Sequence, residues 1–271
     1  MPQIINTNIP SLNAQRNLNT SQGALNQALQ RLSSGLRVNS SKDDAAGMAI
    51  ASKMDAQSRG MVVAMRNAND GISVAQTAEA GFNAIGEHLQ RMRELAVQSA
   101  SGQYDTANRA ALDAEYQQLV SEVKRVTTAT NFNGLKLLDG SFTGVGFQIG
   151  ATTVDADSRI SVNIDSLNVS SFGNICADTA ALNAMSALDV AIDTVNSYRA
   201  DLGAIQNRFE GVLVQLSSAQ ESTEAAKSRI MDADYAAETA KLSRAQILQQ
   251  AGVAMLSQAN ALPQNVLSLL R

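Results

Sequence analysis

Between residues 54 and 96 the chain reads MDAQSRGMVVAMRNANDGISVAQTAEAGFNAIGEHLQRMRELA, and this stretch decides the fold. Met54, Met61, Ala68, Ala75, Phe82, Leu89 and Ala96 recur every seven residues. Ala64, Gly71, Ala78, Ile85 and Met92 follow three residues after members of that series. An apolar seam sustained over several heptads is the pattern of a helix packed along its length against another helix. Ser40-Ser41-Lys42-Asp43-Asp44 supplies cap residues and acids suited to the positive end of the dipole, so the helix starts near Asp44. Running from there to Ser99 it extends roughly 80 Å at 1.5 Å per residue, and the predicted shape is a rod. Ala68, Gly71, Ala75 and Ala78 keep mid-seam positions shallow enough for a partner to approach closely. Glycine there costs about 1 kcal/mol relative to alanine, which packing must offset.

The partner is legible further on. Val195, Leu202, Phe209 and Leu216 are spaced by seven, each followed three residues later by Tyr198, Ile205, Val212 and Ala219. Chain order makes the two long helices antiparallel. Between them, Asp105 or Thr106 can cap a helix carrying Leu112, Tyr116, Leu119, Val123, Val126 and Thr130, which Asn133-Gly134 ends as a turn or C-cap. The period then changes. Val145, Phe147 and Ile149 alternate with small or polar residues, as do Ile160, Val162 and Ile164 after a polar turn around Asp155-Ala156-Asp157-Ser158. Residues 142–165 therefore read as one β-hairpin. A lone hairpin is marginal in water, so it should lie against the helices. The Ser/Asn/Gly-rich stretch 166–178 reads as a connecting loop, with helical periodicity returning from Thr179.

Composition agrees with a mainly helical chain. Hydrophobic residues make up 45% of the 271, but aromatics only 4%, so Ala, Leu, Val and Met must supply most of the burial. The prolines are Pro2, Pro10 and Pro263, leaving 11–262 free of helix breakers. A net charge of −4 argues against a nucleic-acid binder; Arg16, Arg31, Arg37 and Lys42 form a local basic excess with no aromatic platform beside it. Lone Cys176 excludes an intrachain disulfide and reads as an inert small hydrophobe. Lone His88 excludes a His–His zinc motif. Gly144-Val145-Gly146-Phe147-Gln148-Ile149-Gly150 has the wrong spacing for a dinucleotide loop. Asp43-Asp44 and Asp232-Ala233-Asp234 read as helix-start acids. No catalytic, cofactor or metal site is expected. The N-terminus lacks a basic n-region and a long apolar run, so neither a cleaved secretory signal nor a membrane span is expected.

The two ends share an unusual chemistry. Residues 1–42 and 241–271 contain no acid; all 25 Asp and Glu lie between Asp43 and Glu238. Leu18, Leu25 and Leu32 recur every seven residues, with Leu29 and Leu36 beside them. Leu248, Met255, Leu262 and Leu269 do the same, with Gly252, Ala259 and Val266 between, and Pro263 should bend this helix or mark its last turn. Residues 1–42 plus 235–271 are therefore expected to pair as an assembly element, and 43–234, including the hairpin, to form a helical rod. The expected assembly residues are Leu18, Leu25, Leu32, Leu248, Met255, Leu262, Val266 and Leu269.

Several runs resemble bacterial flagellin: Ile5-Asn6-Thr7-Asn8, Arg31-Leu32-Ser33-Ser34-Gly35-Leu36-Arg37, Asp43-Asp44-Ala45-Ala46-Gly47-Met48-Ala49-Ile50 and residues 90–99. Asn131-Phe132-Asn133-Gly134, residues 245–252 and residues 258–271 extend the resemblance in the family's order. It implies a structural, non-enzymatic subunit of the flagellar filament for motility, minimal because only 140–178 separates the helical parts, with no folded outer domain. It further implies unfolded export by the flagellar type III apparatus after capture by an export chaperone. An extracellular filament bearing cap and hook-associated proteins follows, with no role for nucleic acid or membrane. By the same resemblance, Arg91, Leu95 and Glu115 match positions read by the vertebrate Toll-like receptor for flagellin. Leu269 and Leu270 resemble leucines read by cytosolic inflammasome sensors. A hook–filament junction protein shares the paired terminal helices and is the rival reading.

Overall fold

The carboxylate of Asp44 opens the longest helix, its Oδ1 accepting from the Gly47 N–H at 2.8 Å. Just before it, Asp43 closes a tight turn by accepting from the Asn39 and Ser40 N–H groups. In this computed structural model residues 7–151, 158–169 and 172–269 are described, with side chains through residue 261. The elements are α1 (Ile9–Ser34), α2 (Ala45–Ser99), α3 (Thr106–Ala129), β1 (Asn131–Phe132), β2 (Leu135–Lys136), β3 (Val145–Gln148) and β4 (Arg159–Val162), then α4 (Asp178–Met231) and α5 (Tyr235–Leu269). Contacts divide the chain into two compact units, Met1–Ala56 with Ser222–Arg271, and Gln57–Glu221. The helices α2 and α4 each contribute a segment to both.

Within the unit 57–221 the heptad reading of α2 holds. Met61, Ala64, Ala68, Ala75, Ala78, Phe82, Ile85, Leu89, Met92 and Ala96 are all buried. On α4 the expected series is buried at Val195, Leu202 and Phe209 and begins earlier, at Ala181 and Leu188. The two helices run antiparallel. Gly71 faces Phe209, Phe82 lies 5.4 Å from Tyr198 between ring centroids, and Arg93 bonds Asp189. A Cβ on Gly71 would sit 2.7 Å from the Phe209 ring, so the shallow seam is what admits that aromatic.

A second flank of α2, formed by Val74, Gly81 and Leu95, is buried too. Gly81 lies under Leu138 and Thr130, the residues that follow α3. That helix starts at Asp105, whose Oδ1 accepts from the Asn108 N–H at 2.8 Å. It buries Tyr116, Val123 and Thr127.

The hairpin read at 142–165 is present as antiparallel β3 and β4, with Val145 opposite Val162 and Phe147 opposite Ile160. It lies against the helices as expected. Phe147 packs edge-on to Phe209 with centroids 5.7 Å apart, and Asn67 donates to the Gln148 carbonyl. The predicted turn at Asp155-Ala156-Asp157 falls outside the described residues. Asn133-Gly134 does not end α3, which stops at Ala129 with Thr130 as its C-cap. Asn133 and Gly134 both adopt positive φ, 50° and 80°, as the two-residue turn of a small hairpin joining β1 and β2.

The loop after β4 is tied down at Phe172 and Ile175. Tyr116 donates its hydroxyl to the Phe172 carbonyl at 2.7 Å, and Ser99 donates to the Ile175 carbonyl at 2.5 Å. Asp113 accepts from the Ile175 N–H. Phe172 and Ile175 are buried core residues, so this connector is part of the packing. Cys176 is exposed, with local desolvation and then Asp113 holding its thiol above the usual range.

Candidate assembly interface

In the terminal unit α1 packs on α5. The inward face of α1 is Ser11, Ala14, Leu18, Ser21, Leu25, Ala28 and Leu32, at spacings of three and four. The predicted Leu18, Leu25 and Leu32 are on this face, each half-buried. On α5 the inward face is not the leucine series. It comprises Glu238, Leu242, Ala245, Gln249, Gly252, Leu256 and Ala259, again alternating four and three. Leu18 rests on Gly252, where a Cβ would lie 3.2 Å from the leucine Cδ1.

Leu248 and Met255 are therefore corrected as pairing residues within the chain: they are 53% and 64% exposed. The reason is geometric. Small residues between the leucines let α1 come close, turning the bulky series outward. Ile247 and Val253 are exposed beside them, as are Ile9, Leu12 and Leu29 on α1. The backbone of α5 continues through Pro263 to Leu269, and the side chains of Leu262, Val266 and Leu269 lie outside the described residues. Leu270 falls outside them as well.

Polar contacts fix the register of the pair. At one end Asn8 donates to the Ala259 carbonyl at 2.8 Å, and Ser11 to Asn260 Oδ1 at 2.8 Å. Near the other, Arg31 Nη1 donates to Glu238 Oε1 at 3.1 Å, with Lys241 on the other carboxylate oxygen at 2.7 Å. The Glu238 side chain is only 5% exposed. Lys241, then Arg31, hold its carboxyl below the usual range against the opposing effect of burial. The connectors also pair. Arg37 donates its N–H to the Met231 carbonyl at 2.6 Å, and the Ala233 N–H bonds the Gly35 carbonyl at 2.9 Å. Gly35 caps α1 at φ 72°, and Asp234 caps α5 by accepting from the Ala236 N–H. Sequence reading did not find the Arg31–Glu238 pair; its one trace is that Glu238 is the last acid in the chain.

The structure brings Arg91 and Glu115 together at the surface and buries Leu95. Arg91 Nε and Nη2 donate to Glu115 Oε1 at 3.0 and 2.8 Å, and Nη1 to Glu94 at 3.0 Å. Glu115, then Glu94, raise the guanidinium pKa. Leu95 is 1% exposed, in the core, which corrects its placement as a surface contact: it lies on the buried flank of α2. Among the described residues no cluster of His, Cys, Asp and Glu is placed to hold a metal, and no helix is long and apolar enough to cross a membrane.

These features meet known proteins over the whole chain. The bacterial flagellin N-terminal helical region matches residues 5–143, and the bacterial flagellin C-terminal helical region matches 185–270. A flagellin of Halalkalibacterium halodurans is 44% identical over 99% of this chain and 100% of its own length. A Xenorhabdus nematophila flagellin is 40% identical over the full length of both chains. The flagellar filament 33 kDa core protein of Treponema phagedenis is 40% identical over 99% of this chain and 100% of its own. Among solved structures, the crystal structure of Bacillus cereus flagellin aligns with a TM-score of 0.51 at 28% identity, covering 56% of this chain and 88% of that one. A Vibrio parahaemolyticus structure assigned to a flagellar hook-associated protein aligns at 0.58 over 70% of this chain and 100% of that one, but at 13% identity it shares the fold alone. The chain belongs to the bacterial flagellin family, structural proteins of the flagellar filament.

Proposed function

We propose that this subunit assembles through its paired terminal helices, with residues 1–42 and 235–271 as the inner assembly domain and 43–234 as the rod. One observation carries the reading: the α1–α5 pair leaves Ile9, Leu12, Leu29, Ile247, Leu248, Val253 and Met255 facing solvent. Each such side chain gains about 1.5–3 kcal/mol when fully buried, and neighbouring copies supply the cover. Leu18, Leu25 and Leu32 act by holding α1 in place; Leu248, Met255, Leu262, Val266 and Leu269 act at contacts between subunits. Deleting residues 1–20 or 252–271 abolishes seeded polymerisation while the 57–221 unit stays folded. Filaments from either truncation at wild-type yield overturn the proposal. A hook–filament junction protein would not elongate extensively under the same seeding, which separates the rival reading.

Export proceeds in the unfolded state through the flagellar type III apparatus, with a chaperone holding the α5 stripe before secretion. The filament then meets cap and hook-associated proteins outside the cell. A second reading, recognition by the host Toll-like receptor for flagellin, is favoured by the Arg91–Glu115 pair exposed across α2 and α3. Arg91 and Glu115 present the charged surface, and Leu95 supports it from beneath. Reporter-cell signalling by monomer falls with Arg91→Ala plus Leu95→Ala, and equal signalling removes these positions from that role.

A further inference from the structure

The chain has nine methionines, eight of them among the described residues. Met61 and Met92 are buried, and Met48, Met54, Met65, Met185 and Met231 are half-buried. Met255 alone among these is exposed, at 64%, in the middle of the outward stripe of α5. Its neighbours on that helix, Val253 at 55% and Leu248 at 53%, are equally open. Among the described residues, the thioether most accessible to a dissolved oxidant therefore lies on the apolar surface proposed above to drive assembly.

We propose that Met255 is an oxidation site through which peroxide blocks incorporation of the free subunit. The inference rests on the assembly reading above. The reaction is a two-electron oxygen transfer: the peroxide O–O bond breaks, an S–O bond forms, the sulfur is oxidised and the peroxide leaves as water. The sulfoxide turns a flexible apolar side chain into a polar one, the change that disrupts methionine-bearing interfaces, and methionine sulfoxide reductases reverse it. A subunit already in a filament has the stripe covered, so the vulnerability belongs to the free chain.

The test uses the full-length chain and hydrogen peroxide. Peptide mass spectrometry over a peroxide time course finds Met255 sulfoxide first, several times faster than the sulfoxides of Met61 and Met92. Equal or slower oxidation at Met255 overturns the site. Seeded elongation then compares each protein with its own untreated sample. Peroxide raises the critical concentration of the wild type at least about tenfold, the scale expected for losing burial of one apolar side chain. Met255→Leu shifts less than about twofold, whereas Met92→Leu shifts as the wild type does. A Met255→Leu protein as peroxide-sensitive as the wild type, or unchanged elongation by fully oxidised wild type, overturns the block. If Met255→Leu fails to elongate untreated, repair decides: methionine sulfoxide reductase restores oxidised wild type, and no recovery overturns the proposal. Failure of unoxidised wild type to elongate seeds overturns the assembly reading and the block with it, while the peptide map still decides the site.

Discussion

Replacing Glu238 by Gln keeps the side chain's size and its acceptor oxygen but removes the charge that Arg31 and Lys241 meet. The cost follows from what is left behind. Arg31 Nε is already buried with no hydrogen-bond partner, so the guanidinium depends on Glu238 for its compensation inside the pair. Breaking a buried ion pair from one side costs about 3–5 kcal/mol. Lys241 is 58% exposed and admits water on one side, so the cost falls below that range, to about 2–3 kcal/mol. The pH dependence has a definite sign. The folded pKa of Glu238 lies below its ordinary 4.5, so the stabilisation is present above about pH 4.5 and is lost as pH falls through the folded value.

Amide hydrogen exchange over residues 31–38 and 231–241 reads this locally, free of the 57–221 unit. At pH 7 those amides lose roughly 30-fold or more of their protection in Glu238→Gln, the equivalent of about 2 kcal/mol. The wild type approaches the variant as pH falls below the ordinary carboxyl range. Arg31→Met combined with Glu238→Leu recovers most of the loss, because an apolar pair carries no orphaned charge. The reasoning is refuted if Glu238→Gln matches wild-type protection at pH 7, or if both lose protection identically in acid.

Tyr116→Phe strands the buried Phe172 carbonyl and destabilises the 57–221 unit by about 1–3 kcal/mol in urea melts. The Tyr116 phenol is pushed up to about 12 by burial and then Asp113. Its stabilising contribution is therefore full below pH 10 and is lost as pH rises through about 12, where an ultraviolet phenolate titration shows it ionising after exposed tyrosines. Gly134→Ala meets no neighbour within 4 Å, so its cost is the positive φ alone, about 1–2 kcal/mol by thermal melting. Gly252→Leu collides with Leu18, releases α1 from α5 and abolishes seeded elongation while the near-ultraviolet signal of the 57–221 unit is unchanged.

What could be read in advance was whatever repeats or caps. The seams of α2 and α4, the starts at Asp44, Asp105 and Asp234, and the β3–β4 hairpin each follow from a local rule that tertiary packing reinforces. The inward face of α5 did not, because hydropathy ranks Leu248 and Met255 above Ala245, Gly252 and Ala259 while close helix approach prefers the reverse. The polar residues of the connector 166–178 predict a loop. Its burial depends on distant partners, Tyr116, Ser99 and Asp113, that no window of sequence contains. Leu95 belongs to a second buried flank of α2 with Val74 and Gly81, visible only once Leu138 and Thr130 cover Gly81.

The same distinction sets the packing of the two units apart. In the 57–221 unit the large apolar side chains, Phe82, Ile85, Leu89, Met92 and Phe209, point inward and close a core without help. In the terminal unit four of the seven inward residues of α1 are serine or alanine, and the facing side of α5 mixes Ala245, Gly252 and Ala259 with Leu242, Leu256, Gln249 and Glu238. With its inward leucines only half-buried, the pair is held less firmly by burial than the 57–221 core, and its hydrogen bonds and ion pair fix register more than they add stability. Seven large side chains left roughly half exposed amount to about 6–12 kcal/mol of transfer free energy still unspent, of which association recovers only the surplus over lost freedom. A chain that turned Leu248 and Met255 inward would bury more apolar surface within this pair and leave less of it exposed. On the proposed assembly reading, the small-residue seam serves polymerisation by being a poor core.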